Sequence, residues 1–280
     1  MGEGPYSDLE RPPLREAALR RALLVPDGLW TDVRVVAETG STNSDVAVLA
    51  RSGTPEGLVL VAERQASGRG RLGRVWSSPP RAGLTLSVLL RPSDVDPTRF
   101  GWLPLLTGAA LVEAVRRIAE VDAVLKWPND LMIDERKCAG ILAEVIPPPP
   151  GATTGSAVVI GVGLNTTLRE HELPRPDATS LALAGAACTD RAPILNAFLR
   201  SLADWYGRWR AAGGDPDTSG LRESYAFHCA TLGRDVRVQL PDGSELRGRA
   251  DGVDADGRIV VDGRVLAAAD VTHLRSDRSG

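Results

Sequence analysis

Lysine is almost absent from this chain of 280 residues: of its 33 basic residues only Lys126 and Lys137 are lysines, and the rest are arginines. A chain that uses a guanidinium wherever a generic cation will serve has kept a compact ammonium at two places, and the two groups differ in shape and hydration. Side-chain amides are also scarce, yet Asn43, Asn129, Asn165 and Gln65 all fall inside the motifs described below. Cys138, Cys188 and Cys229 are odd in number and widely spaced, which excludes a disulfide framework or a thiolate zinc site and fits a reducing compartment. Aromatic residues make up 4% of the chain, too few for a base-stacking platform. No apolar run approaches the roughly 18 residues of a membrane span. The start of the chain carries Glu3, Asp8, Glu10 and Glu16 in place of a basic-then-apolar leader, so a cytoplasmic protein with no membrane partner is expected. The net charge of −3 excludes bulk attraction to nucleic acid, although not a local basic patch.

What is present suits a packed protein: 43% hydrophobic and 25% charged residues, at a length that implies one large domain and one small one. The pattern predicts a short helix over 14–24 and a strand over 33–38. A helix over 42–50 follows, with Ser41 or Thr42 as its cap and Asp45 in its first turn. Strands are expected over 57–63 and 83–90, then a long helix over 98–120. Strands over 123–127, 131–133 and 138–145 come next. The proline-rich stretch 146–156 reads as a hairpin loop leading into a strand over 157–164, and a helix is expected over 192–212 with Trp205 and Trp209 on one face. From residue 233 short β segments (235–240, 245–250, 258–261, 264–267) alternate with Pro-Asp-Gly and Asp-Gly turns, the signature of a small antiparallel barrel. The expected division is an N-terminal extension over 1–30, a catalytic domain over 31–230 and a barrel over 231–275.

Five segments could carry chemistry. Residues 64–76 read R-Q-A-S-G-R-G-R-L-G-R-V-W. Gly68, Gly70 and Gly73 satisfy G-x-G-x-x-G, but Pro79 and Pro80 follow where a Rossmann fingerprint would open a helix. The segment instead suits an anion cradle, with glycines admitting backbone amides and Arg69, Arg71 and Arg74 adding forked cations. A solvated basic loop is the alternative. Lys126-Trp127-Pro128-Asn129-Asp130 places a cation at a strand end beside an amide and a carboxylate that could orient substrate or hold hydrated Mg²⁺; a plain turn explains the last three residues but not the lysine. Lys137 precedes the small residues Ala139 and Gly140, which permit close approach of a ligand, and an exposed hairpin lysine is the competing reading. Gly161-Val162-Gly163-Leu164-Asn165 ends an apolar strand with a shape suited to purine or sugar, although packing of the sheet on the long helix would also call for small residues. Glu38-Thr39-Gly40-Ser41-Thr42-Asn43 offers hydroxyls and an amide for neutral polar recognition. His171, His228 and His273 are isolated, without ligand or triad spacing.

Taken in chain order from Ser41-Thr42-Asn43 to Gly161-Val162-Gly163-Leu164-Asn165, these motifs resemble the biotin protein ligase family (biotin–acetyl-CoA-carboxylase ligases) over about residues 33–275. The resemblance implies an α+β architecture: a mixed-sheet catalytic domain of the biotin/lipoate ligase and class II synthetase type, followed by an SH3-like β-barrel. It also implies a ligase that uses ATP and Mg²⁺ to form biotinyl-5′-AMP, then transfers biotin to a lysine of a biotin carboxyl carrier domain. Carried over residue by residue, it puts biotin against Ser41, Thr42, Asn43, Gln65, Arg69, Gly70, Arg71 and Lys126. ATP and adenylate fall to Gly68, Arg69, Arg71, Arg74, Trp76, Lys126, Asn129, Lys137 and Asn165, with Lys126, Arg69 and Arg71 as catalytic cations and Asn129 or Asp130 beside the metal. Bifunctional members of the family begin with a winged helix-turn-helix; some thirty residues before the first strand are too few for such a module of ~60 residues, so a monofunctional ligase without sequence-specific DNA binding is expected. The competing functions are lipoate or octanoate ligation on the same fold and a nucleic-acid-binding module built on the arginine-glycine loop and the barrel.

Overall fold

A computed structural model describes residues 11–148, 155–240, 243–266 and 270–274. Its centre is a seven-stranded mixed sheet in the order β1-β2-β5-β9-β8-β7-β6. Strands β1 (Asp32–Val36) and β2 (Leu58–Ala62) pair in parallel across the helix α2 (Thr42–Arg51), and the other pairings are antiparallel. The arginine-glycine segment forms a minute hairpin, β3 (Gly68–Arg69) with β4 (Val75–Trp76), joined by a 3-10 turn. The sheet continues through β5 (Gly83–Leu90), β6 (Val124–Lys126), β7 (Asp130–Ile133), β8 (Arg136–Ile146) and β9 (Ala157–Asn165). Ile146 pairs with Ala157, so the proline-rich stretch is a hairpin connection as expected; Pro149 and Pro150 lie outside the described residues.

Both faces of the sheet are covered, which is why β5 and β9 are buried at every position. On one face lies α2, whose Val46, Ala47 and Ala50 meet Leu58, Leu60, Leu89 and Val159. The other face takes Val59, Val61, Val88 and Ile160 into the larger core with α3 (Trp102–Ala119) and α4 (Arg191–Ala211). The period-2 alternation of a strand thus serves two cores at once. The helix expected over 98–120 is in two parts, because Asp96 caps a 3-10 turn at Pro97–Gly101 before α3 begins. Trp205 and Trp209 are both buried on α4, and α5 (Leu221–His228) completes the layer.

Ahead of β1, the helix α1 (Glu16–Leu23) packs on β1 and α4. Arg11 grips Glu172 through both terminal guanidinium nitrogens, and a buried Arg191–Glu63 pair at 2.5 Å holds the segment, Glu63 accepting from the Leu14 amide and Arg191 donating to the Pro12 carbonyl. Residues from β10 (Asp235–Gln239) onward form a five-stranded antiparallel sheet in the order β13-β12-β11-β10-β14, the SH3-like barrel. Its members are β11 (Glu245–Val253), β12 (Ile259–Val261), β13 (Arg264–Leu266) and β14 (Asp270–His273). The closing strand β14 was not foreseen from sequence, and Pro241, Asp242 and Ala267 of the expected turns and strands lie outside the described residues. The barrel is bolted to the N-terminus of α3: Trp102 Nε1 donates to the Asp254 and Ala255 carbonyls, and Gly257 lies backbone-to-backbone against Gly101.

Candidate active site

The α2 face of the sheet is left uncovered beyond the N-terminus of α2, and there a cavity of about 730 Å³ opens. At one end its groups are neutral. Ser41 caps α2 by accepting from the Ser44 amide, so the cap reading holds for Ser41 and leaves Thr42 and Asn43 to point across the sheet. Gln65 Oε1 takes the Thr42 amide at 2.8 Å, and Ser87 Oγ lies 2.7 Å from Thr42 Oγ1 and 2.6 Å from Asn43 Oδ1. Asn43 Nδ2 donates to Glu144 Oε2 at 2.7 Å. Gly161 makes room for this amide, since a Cβ there would come 2.1 Å from Asn43 Oδ1.

The other end is cationic. The β3–β4 hairpin folds over the sheet so that the Trp76 ring lies on Gly140 and Gly163, where a Cβ on Gly163 would approach the ring to 2.3 Å. The small residues of 161–163 therefore serve Asn43 and Trp76 on the cavity face, and not the long helix on the opposite face. Arg71 reaches Asn129 Oδ1 at 3.2 Å, while Asn129 is itself fixed to the Ile141 backbone at both amide and carbonyl. Arg69 meets Glu144 at 3.3 Å. Lys137 pairs with Asp130 at 2.5 Å, stands 6.0 Å over the Trp76 ring and is only partly exposed, so it is not the exposed hairpin lysine of the competing reading. Lys126, half-buried at the end of β6, makes no hydrogen bond or ion pair among the described residues.

The cavity thus brings together Ser41, Thr42, Asn43, Gln65, Arg69, Gly70, Arg71, Arg74, Trp76, Lys126, Asn129, Asp130, Lys137 and Asn165. Gly68 does not reach it; it is buried where a Cβ would strike the Trp76 carbonyl and Gln65 Nε2, and it serves the pairing of the hairpin. Asn165 is buried and spends its amide on the Thr179 carbonyl. Sequence reasoning missed Ser87 and Thr85, although two polar residues at period 2 inside the apolar run 83–90 were a signal for one polar face. It also missed Glu144, which contacts Asn43 and Arg69, and the Arg175–Asp177 pair, Val271 and Thr272, which line the cavity through tertiary docking alone. Behind Lys126, the Trp127 amide donates to Thr231 Oγ1, which is 2.9 Å from His273 Nε2. Burial, reinforced by Lys126 and Arg234 and opposed by Glu135, pushes the His273 imidazole down to about 4.

An oxygen pair from Asn129 and Asp130 stands at the cationic end, and among the described residues no group of three His, Cys, Asp or Glu could hold a metal by itself. One carboxylate and one amide suit Mg²⁺ that arrives largely hydrated on substrate phosphates, and would not suit a resident ion.

A cavity with neutral donors and acceptors at one end and converging cations at the other, on a mixed sheet followed by an SH3-like barrel, defines a class, and the chain belongs to the biotin/lipoate A/B protein ligase family, whose model matches residues 37–165. The sequence is 42% identical over 276 residues to the biotin–[acetyl-CoA-carboxylase] ligase of Mycobacterium tuberculosis, an alignment covering 96% of this chain and 98% of that protein. It is 32% identical over 225 residues to the bifunctional ligase/repressor BirA of Bacillus subtilis, covering 79% of this chain and 66% of that one. The structure superposes on the biotin protein ligase from Aquifex aeolicus in complex with biotin and ATP with a TM-score of 0.69 at 25% identity, over 88% of this chain and 100% of the other.

Proposed function

We propose that the cavity is where this biotin–[acetyl-CoA-carboxylase] ligase joins biotin to AMP, the neutral end holding the ureido ring and the cationic end holding the carboxylate and the phosphates. The observation that carries this assignment is the polarity of one continuous cavity. Ser41, Thr42, Asn43 and Gln65 offer uncharged donors and acceptors to a cyclic urea, and Arg69, Arg71 and Lys126 line the same cavity. A dithiolane or plain alkyl chain would offer no hydrogen bond to the polar groups that face the cavity, which disfavours lipoate and octanoate.

In the first half-reaction a biotin carboxylate oxygen attacks the α-phosphorus of ATP in line, the bond to the β-phosphate oxygen breaks, and biotinyl-5′-AMP and pyrophosphate form. The obstacle is repulsion between two anions, and preorganised cations lower it by positioning and charge stabilisation, each group contributing about 3 kcal/mol. Lys126 carries its charge with no protein partner among the described residues, so none has to be broken when the anions meet. Arg69 and Arg71 approach from the hairpin. Trp76, Lys137, Asn129 and Asn165 frame the nucleotide, with Arg74 at the rim. When bound, Mg²⁺ would neutralise triphosphate charge, and Asp130 and Asn129 are the oxygens placed to hold it. In the second half-reaction the neutral amine of a carrier-domain lysine attacks the acyl carbon and AMP leaves.

The partners are biotin, ATP and the carrier domain of a biotin-dependent carboxylase. The described segment ahead of β1 contributes a single helix that is packed on α4 and β1. No helix among the described residues is long and apolar enough to cross a membrane, and three free cysteines suit the cytoplasm. The same reading divides the chain near residue 230. Incubating the protein with a purified carrier domain, ATP, Mg²⁺ and an equimolar mixture of biotin, lipoate and octanoate tests the function: mass spectrometry should find only the biotinyl adduct on one lysine, and a lipoyl or octanoyl adduct, or none, would overturn it.

A further inference from the structure

Among the cations of the cavity, Arg69, Arg71 and Lys137 are held through their side chains by Glu144, Asn129 and Asp130. Lys126 has no such partner among the described residues, so its ammonium is placed by its own backbone. That backbone lies at an edge. β6 is the last strand of the sheet, and its pairing with β7 ends at Lys126 opposite Asp130, where the chain turns. The next peptide N–H, that of Trp127, is taken by Thr231 Oγ1 at 3.0 Å, from the segment that leads into the barrel.

Residues 229–231 run along this edge. Cys229 bridges Leu125 in parallel, and the Ala230 amide donates to the Leu125 carbonyl at 2.8 Å. Thr231 is fully buried, and its hydroxyl ends the row by accepting from Trp127. A buried edge peptide has to find an acceptor, and here a side chain supplies it. The Trp127 indole is pinned separately, by the Gly257 carbonyl at 3.3 Å, which holds the ring and leaves the peptide plane to Thr231.

The Thr231 hydroxyl is itself oriented from the barrel. Its own proton has one acceptor within reach among the described residues, His273 Nε2 of β14 at 2.9 Å. A neutral imidazole with its proton on Nδ1 can take that proton. Burial, with Lys126 and Arg234 nearby and against the pull of Glu135, keeps the ring neutral.

We propose that Thr231 is a positioning residue for adenylation: its hydroxyl, anchored on His273, holds the Lys126–Trp127 peptide so that the Lys126 ammonium meets the reacting anions. The proposal rests on the assignment of Lys126 to the biotin carboxylate and the α-phosphate. The test is single-turnover formation of biotinyl-5′-AMP from saturating biotin, ATP and Mg²⁺ on wild type, Thr231→Val, Thr231→Ser, His273→Ala and His273→Gln, with biotin titration without ATP and thermal melts. Thr231→Val keeps the volume and removes the acceptor, so adenylation should slow about tenfold or more while biotin binding, carried by the neutral end, stays within about threefold. Thr231→Ser restores the hydroxyl and should run within about twofold of wild type. His273→Ala leaves the hydroxyl without its anchor and should slow the step about threefold, and His273→Gln, which offers an amide oxygen, should recover most of the loss. A wild-type rate in Thr231→Val, a Thr231→Ser as slow as Thr231→Val, or biotin affinity falling as far as the rate would overturn the proposal. If Thr231→Val does not fold, the His273 pair decides, and equal rates in the two would contradict it. Wild type forming no adenylate would instead remove the assignment on which the proposal rests.

Discussion

At the scale of single residues, two lysines in an arginine-rich chain have different surroundings. Lys137 is tied to Asp130 and lies over Trp76, whereas Lys126 makes no hydrogen bond or ion pair among the described residues and lines the cavity. A planar guanidinium at 126 would keep the charge and displace one anion from in-line geometry. Lys126→Arg should therefore melt like wild type and lose ~10²-fold in adenylate formation, the scale of deleting one preorganised donor. Lys137→Arg should lose less, and equal losses in single-turnover adenylation would contradict the distinction. The two cavity glycines make a second pair. Gly161→Ala would press on Asn43 and Gly163→Ala on the Trp76 ring. The first should raise KM for biotin and the second KM for ATP, each by roughly tenfold, since overpacking by an added methyl costs about 1–3 kcal/mol. Steady-state kinetics with each substrate varied would show whether the effects separate.

At the scale of elements, the arginine-glycine hairpin is the part most dependent on ligand. Its Leu72 has φ 55°, and Leu72 and Val75 are 74% and 78% exposed, so little apolar burial holds it. Hydrogen exchange over 64–76 should fall at least several-fold when biotin and ATP are added, and equal protection in both states would count against its closing over the adenylate. The strands and helices around it were legible because each follows a period or a stop signal: Gly83–Leu90 is bounded by prolines, and Ser41 is a cap followed by a helical run. Less legible was what tertiary packing decides. Gly68 looks like a phosphate glycine in sequence and proves to be the pivot of the hairpin. Glu144 looks like a solvent-side residue of a strand and proves to contact Asn43, 101 positions away. Neither fact leaves a local trace, because each depends on which strand face the hairpin and α2 come to cover.

At the scale of the whole molecule, the contacts between the barrel and the rest of the chain include Gly257 against Gly101, Trp102 Nε1 on the Asp254 and Ala255 carbonyls, and His273 on Thr231. Gly257 has φ +83° and no room for a Cβ beside Gly101, so Gly257→Ala should loosen the barrel by about 1–3 kcal/mol of strain and overpacking, read as a lowered denaturant midpoint. His273 makes the junction sensitive to acid. Its pKa is depressed from 6.5 to about 4, so between these values the unfolded chain takes up a proton that the folded one refuses, and stability falls as pH falls through that window. Glu172, held low by Arg11, adds to the loss further into the acid range. The fall in Tm from pH 7 to pH 4.5 should be shallower in His273→Gln than in wild type, and parallel curves would remove His273 from this role. The central claim is that one cavity brings a biotin carboxylate and an α-phosphate together, and ATP–pyrophosphate exchange tests it most directly. Exchange should depend on biotin, be absent with lipoate or octanoate, and collapse in Lys126→Arg; exchange supported by lipoate, or exchange in Lys126→Arg equal to wild type, would contradict the account.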